Sequence, residues 1–378
     1  MCKSECKGVE KMKKRSVGKI IVIIVIILVL TIVLFVLGTF IFHTIKSNEE
    51  TALLKEKGYY NPVSVGDYCL NVAKFGNENG EHTIIAMAGL GSGDFPVAMR
   101  KVTVSLEENN LVVFVDRAGY GFSDDTENEM TLEYIVEDYR KALKNARVDA
   151  PYILMPHSIG GAYANYWVSN YPEEIEAVVF VDGSQLSADA FDDEPYYSVG
   201  FGDRALALLA KAGFGRYVLR SFFYHYSDNF TEEEQYLGDA LYLMTMDSIA
   251  TVSEAGLLAK NAQDAFNGII TNDVPKLYIC ASWGFETKEE IIEYHKWINR
   301  QIEINGFDME PKATEYDDEK IQQILDEYEK VREDIIYPYA EKMGNCKVVC
   351  LGGDHMIYEQ KPHECAEIIA EFLRELES

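Results

Sequence analysis

The chain has 378 residues, enough for one large α/β domain with insertions or for two ordinary domains. Apolar residues make up 48% and aromatic residues 12%, which is ample for a packed core. A formal net charge of −27 excludes a nucleic-acid-binding role, which needs clustered Lys and Arg, and argues against resting on an anionic lipid surface outside one short segment.

That segment comes first in the chain. Lys11, Lys13, Lys14, Arg15 and Lys19 stand directly before residues 20–42, a run of 23 residues with no charge. At about 1.5 Å per residue such a run crosses a hydrocarbon core of ~30 Å. The positive-inside rule then keeps residues 1–19 in the cytoplasm and places everything after Phe42 on the extracytoplasmic side. A cleaved signal peptide is the rival reading, but its apolar region would run only ~7–15 residues to a small-residue cleavage site. Here the apolar run passes Gly38-Thr39 and continues through Phe42. The expectation is therefore an uncleaved, single-pass signal anchor of the cell membrane. Cys2 and Cys6 precede it, where thiols can be acylated or simply stay reduced. The five later cysteines (Cys69, Cys280, Cys346, Cys350, Cys365) show no metal-ligand spacing and imply no disulfide framework.

Residues 43–66 read as a linker, charged and helical over 48–58, and residues 67–378 as the folded domain. Short apolar runs predict strands at 68–75, 83–88, 111–116, 152–155, 177–182, 276–281 and 347–351. Helical stretches such as 132–146 and 162–170 lie between them. This alternation indicates a mostly parallel sheet covered by helices on both faces. Two long segments interrupt the rhythm. Residues 185–272 read as amphipathic helices forming a lid, and residues 287–343 as a second, strongly charged helical insertion. The lid is rich in aromatics (Phe191, Tyr196, Tyr197, Phe214, Phe222, Phe223, Tyr224, Tyr226), which either line an apolar acyl pocket or form the lid's own core.

The chemistry concentrates at strand ends. The strand at 152–155 runs into Pro156-His157-Ser158-Ile159-Gly160-Gly161 and then a helical stretch. A serine on such a strand–turn–helix joint looks like a nucleophile elbow, in which the side chain is held out at the top of the sheet. Glycines suit the joint because strand and helix approach closely there. Residues 83–91, Thr-Ile-Ile-Ala-Met-Ala-Gly-Leu-Gly, form a strand ending in a glycine-rich turn, and Asp116-Arg-Ala-Gly-Tyr-Gly-Phe-Ser-Asp124 follows a third strand. With these motifs in this order the chain resembles the α/β-hydrolase superfamily, in particular its lid-bearing serine hydrolase and esterase branch. The resemblance covers Tyr68 to the C-terminus, with the two insertions poorly matched.

The resemblance implies roles for particular residues. Ser158 would be the nucleophile, and the N–H groups of Ile159 and Leu90 the oxyanion donors. His355, in Gly353-Asp354-His355 beyond the last strand, would be the general base. His157 would be a structural companion of the elbow, and Asp116 with Arg117 an architectural, buried ion pair. His82, His225, His295 and His363 lie in no motif.

Two departures stand out. The elbow begins with Pro156 where a small residue is usual. The acid that orients the histidine normally follows the strand at 276–281, where this chain has Ala281-Ser-Trp-Gly284. Asp182, closing the preceding strand, is the preferred acid, and Glu286 on a longer loop is the alternative.

The expected activity is hydrolysis of an ester, thioester or amide of a small or acyl substrate through an acyl-enzyme, with no metal or organic cofactor. Serine at the elbow argues against the dehalogenase and epoxide-hydrolase chemistries of this fold, which use Asp there. A non-catalytic binding or sensory protein is the alternative, kept open by the missing acid at its usual place.

Overall fold

Leu111–Asp116 is buried at every position, as a strand covered on both faces must be. In the computed structural model, which describes residues 2–184, 186–194, 196–217, 228–246 and 248–377 and side chains from residue 18 on, it is the fourth of eight strands in one sheet. The others are β1 (Pro62–Ser64), β2 (Cys69–Gly76), β3 (Thr83–Met87), β5 (Tyr152–Ser158), β6 (Ile175–Gly183), β7 (Lys276–Cys280) and β8 (Cys346–Cys350). Their order across the sheet is β1-β2-β4-β3-β5-β6-β7-β8. β1 and β2 pair antiparallel, β2 runs antiparallel to β4, and every later pairing is parallel.

Alternation along the strands divides the core in two. Ile85, Met87, Val113, Leu154 and Phe180 pack with helices α3 (Leu132–Asn145) and α4 (Gly160–Asn170) on one face. Ile84, Ala86, Phe114, Met155 and Val179 pack on the other with α2 (Phe95–Thr103) and the C-terminal helix Pro362–Leu376. Capping marks the helix starts: the Thr131 hydroxyl accepts the Tyr134 N–H at the head of α3.

The lid segment holds helices Phe201–Lys211, Glu232–Thr245, Ile249–Gly256 and Leu258–Asn267. The second insertion holds Lys288–Asn305 and Asp318–Val331, a π-helical turn at Arg332–Ile336, and Tyr337–Met343. Phe222, Phe223, Tyr224, Tyr226 and His225 lie outside the described residues, as do the side chains of Cys2, Cys6 and the basic residues from Lys11 to Arg15.

One helix, α1, runs unbroken from Cys2 to Glu56. Its part from Gly18 on is long and apolar enough to cross a membrane. Past the apolar run the same helix enters the domain. Leu54 is fully buried in the core, and Glu50 forms an ion pair with Arg216 of the lid.

Candidate active site

The elbow is built by two strands that crowd it. β5 continues through Ser158, which takes a left-handed φ of +52°, and α4 starts two residues later. That backbone conformation is uncommon for a residue with a side chain and marks stored strain. A Cβ at Gly160 would sit 2.8 Å from the Met87 carbonyl, and one at Gly89 would sit 3.0 Å from both His157 Nδ1 and the Ser158 Cβ. The end of β3 is thus pressed against Ser158, and glycine is required on both sides of the contact. Pro156 is accommodated as a buried strand residue, in register with Met87.

His355 follows β8, and its Nδ1 lies 2.7 Å from Oδ2 of Asp182 at the end of β6. Asp182 also has a left-handed φ, +44°. Its carboxylate accepts the Ala281 N–H at 2.8 Å, the Ser282 N–H at 3.1 Å and the Ser282 hydroxyl at 2.6 Å. Burial pulls the Asp182 carboxyl upward, yet the His355 contact and these donors together hold it below the usual carboxylate value. Burial lowers His355 in turn, but Asp182 and then Asp354 raise it above the ordinary imidazole value. The imidazole remains open on its other side, with the side chain 46% exposed.

His157 joins the elbow to the histidine loop. Its Nε2–H donates to the His355 carbonyl at 2.9 Å, and the two rings lie 4.5 Å apart. Phe95 stacks against it and Tyr358 meets it edge-on. Burial, reinforced by His355, pushes His157 down to about 3, so it stays neutral and acts as a fixed donor.

The turn after β3 is held by its carbonyls. Arg117 donates to the Ala88 and Gly89 carbonyls, each at 2.7 Å, and the Tyr120 hydroxyl accepts the Gly91 N–H at 2.8 Å. The peptides around Leu90 are therefore fixed on both sides. Among the described residues, neither the Leu90 N–H nor the Ile159 N–H meets a protein acceptor.

A model of the α/β hydrolase fold family matches residues 89–282, just over half of the chain. The chain belongs to the α/β-hydrolase fold family. An uncharacterised Bacillus subtilis protein, YbdG, is 35% identical over 168 residues, which is 44% of this chain and 50% of its own length. A putative chloroplastic methylesterase of Arabidopsis thaliana is 36% identical over 101 residues, 25% of this chain and 29% of its own. The alignments thus span half or less of these curated relatives. Among solved structures, an enol-lactonase from Burkholderia xenovorans superposes with a TM-score of 0.52 at 14% identity, over 83% of this chain and all of its own. A structure from a study of Nitrososphaera carboxylesterases gives 0.53 at 14% identity, over 84% and 98%. The haloalkane dehalogenase DatA from Agrobacterium tumefaciens gives 0.54 at 16% identity, over 84% and 96%. At these identities the likeness is one of fold.

Within this α/β hydrolase the expected acid position is filled by necessity with glycine. A Cβ at Gly284 would collide with the Cys280 carbonyl. Glu286 is exposed, its N–H donates to Glu290 at 2.8 Å, and its carboxylate acts on Cys350 rather than on His355.

The Asp116–Arg117 ion pair is not formed. The Asp116 carboxylate turns toward Asn71 (2.9 Å) and the Phe122 N–H (3.2 Å). Arg117 instead pairs at 3.0 Å with Glu254, and both side chains are almost completely buried. Consecutive residues at a strand end point to opposite faces, which separates the two groups.

Glu254 is the residue that sequence reasoning missed. It stands on the lid helix Ile249–Gly256 and also accepts the Tyr120 and Tyr163 hydroxyls, at 2.8 and 2.6 Å. The available signal was its being the one charged side chain on that otherwise apolar and small-residue helix. Of the lid aromatics named from the sequence, Phe191, Tyr196 and Tyr197 are exposed and Phe214 packs on Phe35 of α1, whereas Phe230 and Phe266 of the same segment pack into the core. Among the described residues, no group of three His, Cys, Asp or Glu side chains is arranged to hold a metal ion.

Proposed function

We propose that this α/β hydrolase is a membrane-anchored serine hydrolase that cleaves an ester, thioester or amide bond. The observation that carries the proposal is the 2.7 Å contact between Asp182 and His355 Nδ1, beside a serine held at a strained elbow. With Nδ1–H committed to Asp182, His355 keeps the Nε2 lone pair as a base. As the Ser158 oxygen attacks the substrate carbonyl, its proton passes to Nε2, and Asp182 stabilises the resulting cation. The negative charge that develops on the carbonyl oxygen is met by the N–H groups of Ile159 and Leu90. Losing one such donor typically costs ~3–4 kcal/mol of barrier. Nε2 then gives its proton to the departing alcohol, thiol or amine, leaving an acyl group on Ser158. Water repeats the sequence to release the acid.

The anchor is the apolar part of α1, with residues 20–42 crossing the bilayer and the basic residues before them on the cytoplasmic side. The hydrolase domain then works outside the cytoplasm. Esterase chemistry also suits the relative named a putative methylesterase.

A fluorophosphonate probe tests the reading. Detergent-solubilised protein is expected to be labelled at Ser158, and Ser158→Ala is expected to abolish both labelling and ester turnover. Folded protein that stays unlabelled would instead leave the non-catalytic binding role.

A further inference from the structure

The helix Phe201–Lys211 carries its apolar side chains outward. Phe201 is 88% exposed, Leu208 69% and Leu206 66%, and Leu209 and Tyr217 are also exposed, while Ala207 on the opposite side is buried. A soluble surface rarely gathers so many large apolar groups on so few residues, and such a patch marks an interaction face.

Its position identifies the partner. The turn after this helix is keyed onto α1 along the apolar run. The Phe214 ring lies 6.1 Å from that of Phe35, and Gly213 presses on the Thr39 carbonyl and on His43. Farther along, Arg216 donates to His43 Nδ1 at 2.9 Å, to Ser47 at 2.9 Å and to Glu50 at 2.7 Å. Phe35 is seven residues before Phe42, so its level is about 10 Å along the helix axis inside the end of the apolar run. The exposed patch lies on the helix that leads directly into this turn. A lipid phase already surrounds that level, which a protein partner would have to displace.

We infer that the lid helix Phe201–Lys211 and the turn through Tyr217 lie in the outer leaflet of the same bilayer that residues 20–42 cross. The inference rests on the anchor reading above. Lys211 is exposed in the last turn of the helix, where a long basic side chain can bury its stem and keep its charge at the headgroups, while Arg204 is held by Glu127. The lid is then an interfacial amphipathic helix, sunk roughly 5–10 Å into the headgroup and acyl boundary.

Depth-dependent quenching tests this in the full chain reconstituted into phosphatidylcholine vesicles. A tryptophan is introduced singly by Leu208→Trp, by Leu34→Trp in the span, or by Glu371→Trp on the C-terminal helix. Emission is compared with that of the parent protein, in lipids brominated high or low on the acyl chain. The added Trp emission at position 208 is expected to be lost mainly to the shallow bromines, that at 34 to be lost as well, and that at 371 to survive. Quenching at 34 with none at 208 overturns the lid inference and leaves the anchor standing. Absence of quenching at both 34 and 208 overturns the anchor reading and the inference built on it.

Discussion

Asp182 and His355 titrate in opposite directions because each stabilises the charged form of the other. The Asp182 carboxyl is lowered, so its contribution to stability is present above its ordinary value of 3.8 and is lost as pH falls through the lowered one. The His355 imidazole is raised, so its contribution is present below its ordinary 6.5 and is lost as pH rises through the raised value. For turnover by the proposed mechanism the requirement differs: His355 must be neutral to take the Ser158 proton. The kcat/KM profile is therefore expected to rise with pH through a value above 6.5. Asp182→Asn should move that limb downward and lower kcat by on the order of 10³–10⁴-fold, as removal of an orienting acid does elsewhere. Glu286→Gln should change kcat by less than about twofold, in keeping with an exposed surface substitution. Equal activity in the two variants would remove Asp182 from the mechanism. Ser158 and His355 stood out in the sequence as candidates because each sits in a local turn motif beside an apolar strand. Between the candidate acids the sequence carried only a preference for Asp182 over Glu286, since strand order decides which carboxylate meets the imidazole. The stretch Ala281-Ser282, which looked merely acid-free, supplies the donors that hold Asp182.

At the scale of elements, the lid and the sheet meet in one buried charge cluster. Arg117 reaches back to the carbonyls before Leu90, and Glu254 neutralises it from the lid helix. Asp125 strengthens the same junction by accepting the N–H groups of Ile249 at 2.9 Å and Ala250 at 2.8 Å. Glu254→Gln keeps an acceptor for only one of the Tyr120 and Tyr163 hydroxyls, which bond to different carboxylate oxygens, and it strands the Arg117 charge; breaking a buried pair in this way costs about 3–5 kcal/mol. Because the loop that Arg117 holds carries the Leu90 N–H, kcat is expected to fall about 10–100-fold, short of the full loss of an oxyanion donor. KM should stay within about twofold, since the proposed Leu90 donor would act on charge that appears only in the transition state. Steady-state kinetics on the folded fraction decide the matter: a lower melting temperature with kcat intact would make Glu254 a structural residue only. Seven strands were legible as short apolar runs, with ends shifted by a few residues. The three-residue β1 was not, because Pro62–Ser64 is too short to show a period. The partner of Arg117 was hidden for another reason. Its contact spans 137 residues of chain and leaves no local pattern.

For the whole molecule, the question is where the apolar helix ends and the hydrolase fold begins. The charged stretch after residue 42 read as a linker in the sequence because polar residues there give no sign of docking. In the fold it is a strut: Leu54 is fully buried, and the Glu50 carboxylate receives Arg216, itself largely buried. Burying one leucine contributes about 1.5–3 kcal/mol, and removing one partner of a buried ion pair costs about 3–5 kcal/mol. A chain begun at His43 keeps both contacts, whereas one begun at Gly58 loses both. The shorter chain is expected to melt roughly 5–10 °C below the longer one, given the unfolding entropy of a domain of this size. The chain begun at His43 also isolates the lid's own hold on lipid. An interfacial helix binds reversibly, unlike a spanning one. That chain should therefore co-sediment with phosphatidylcholine vesicles but wash off, while the full chain stays in the pellet through alkaline extraction. Equal melting temperatures for the two shortened chains would return residues 43–57 to the status of a tether.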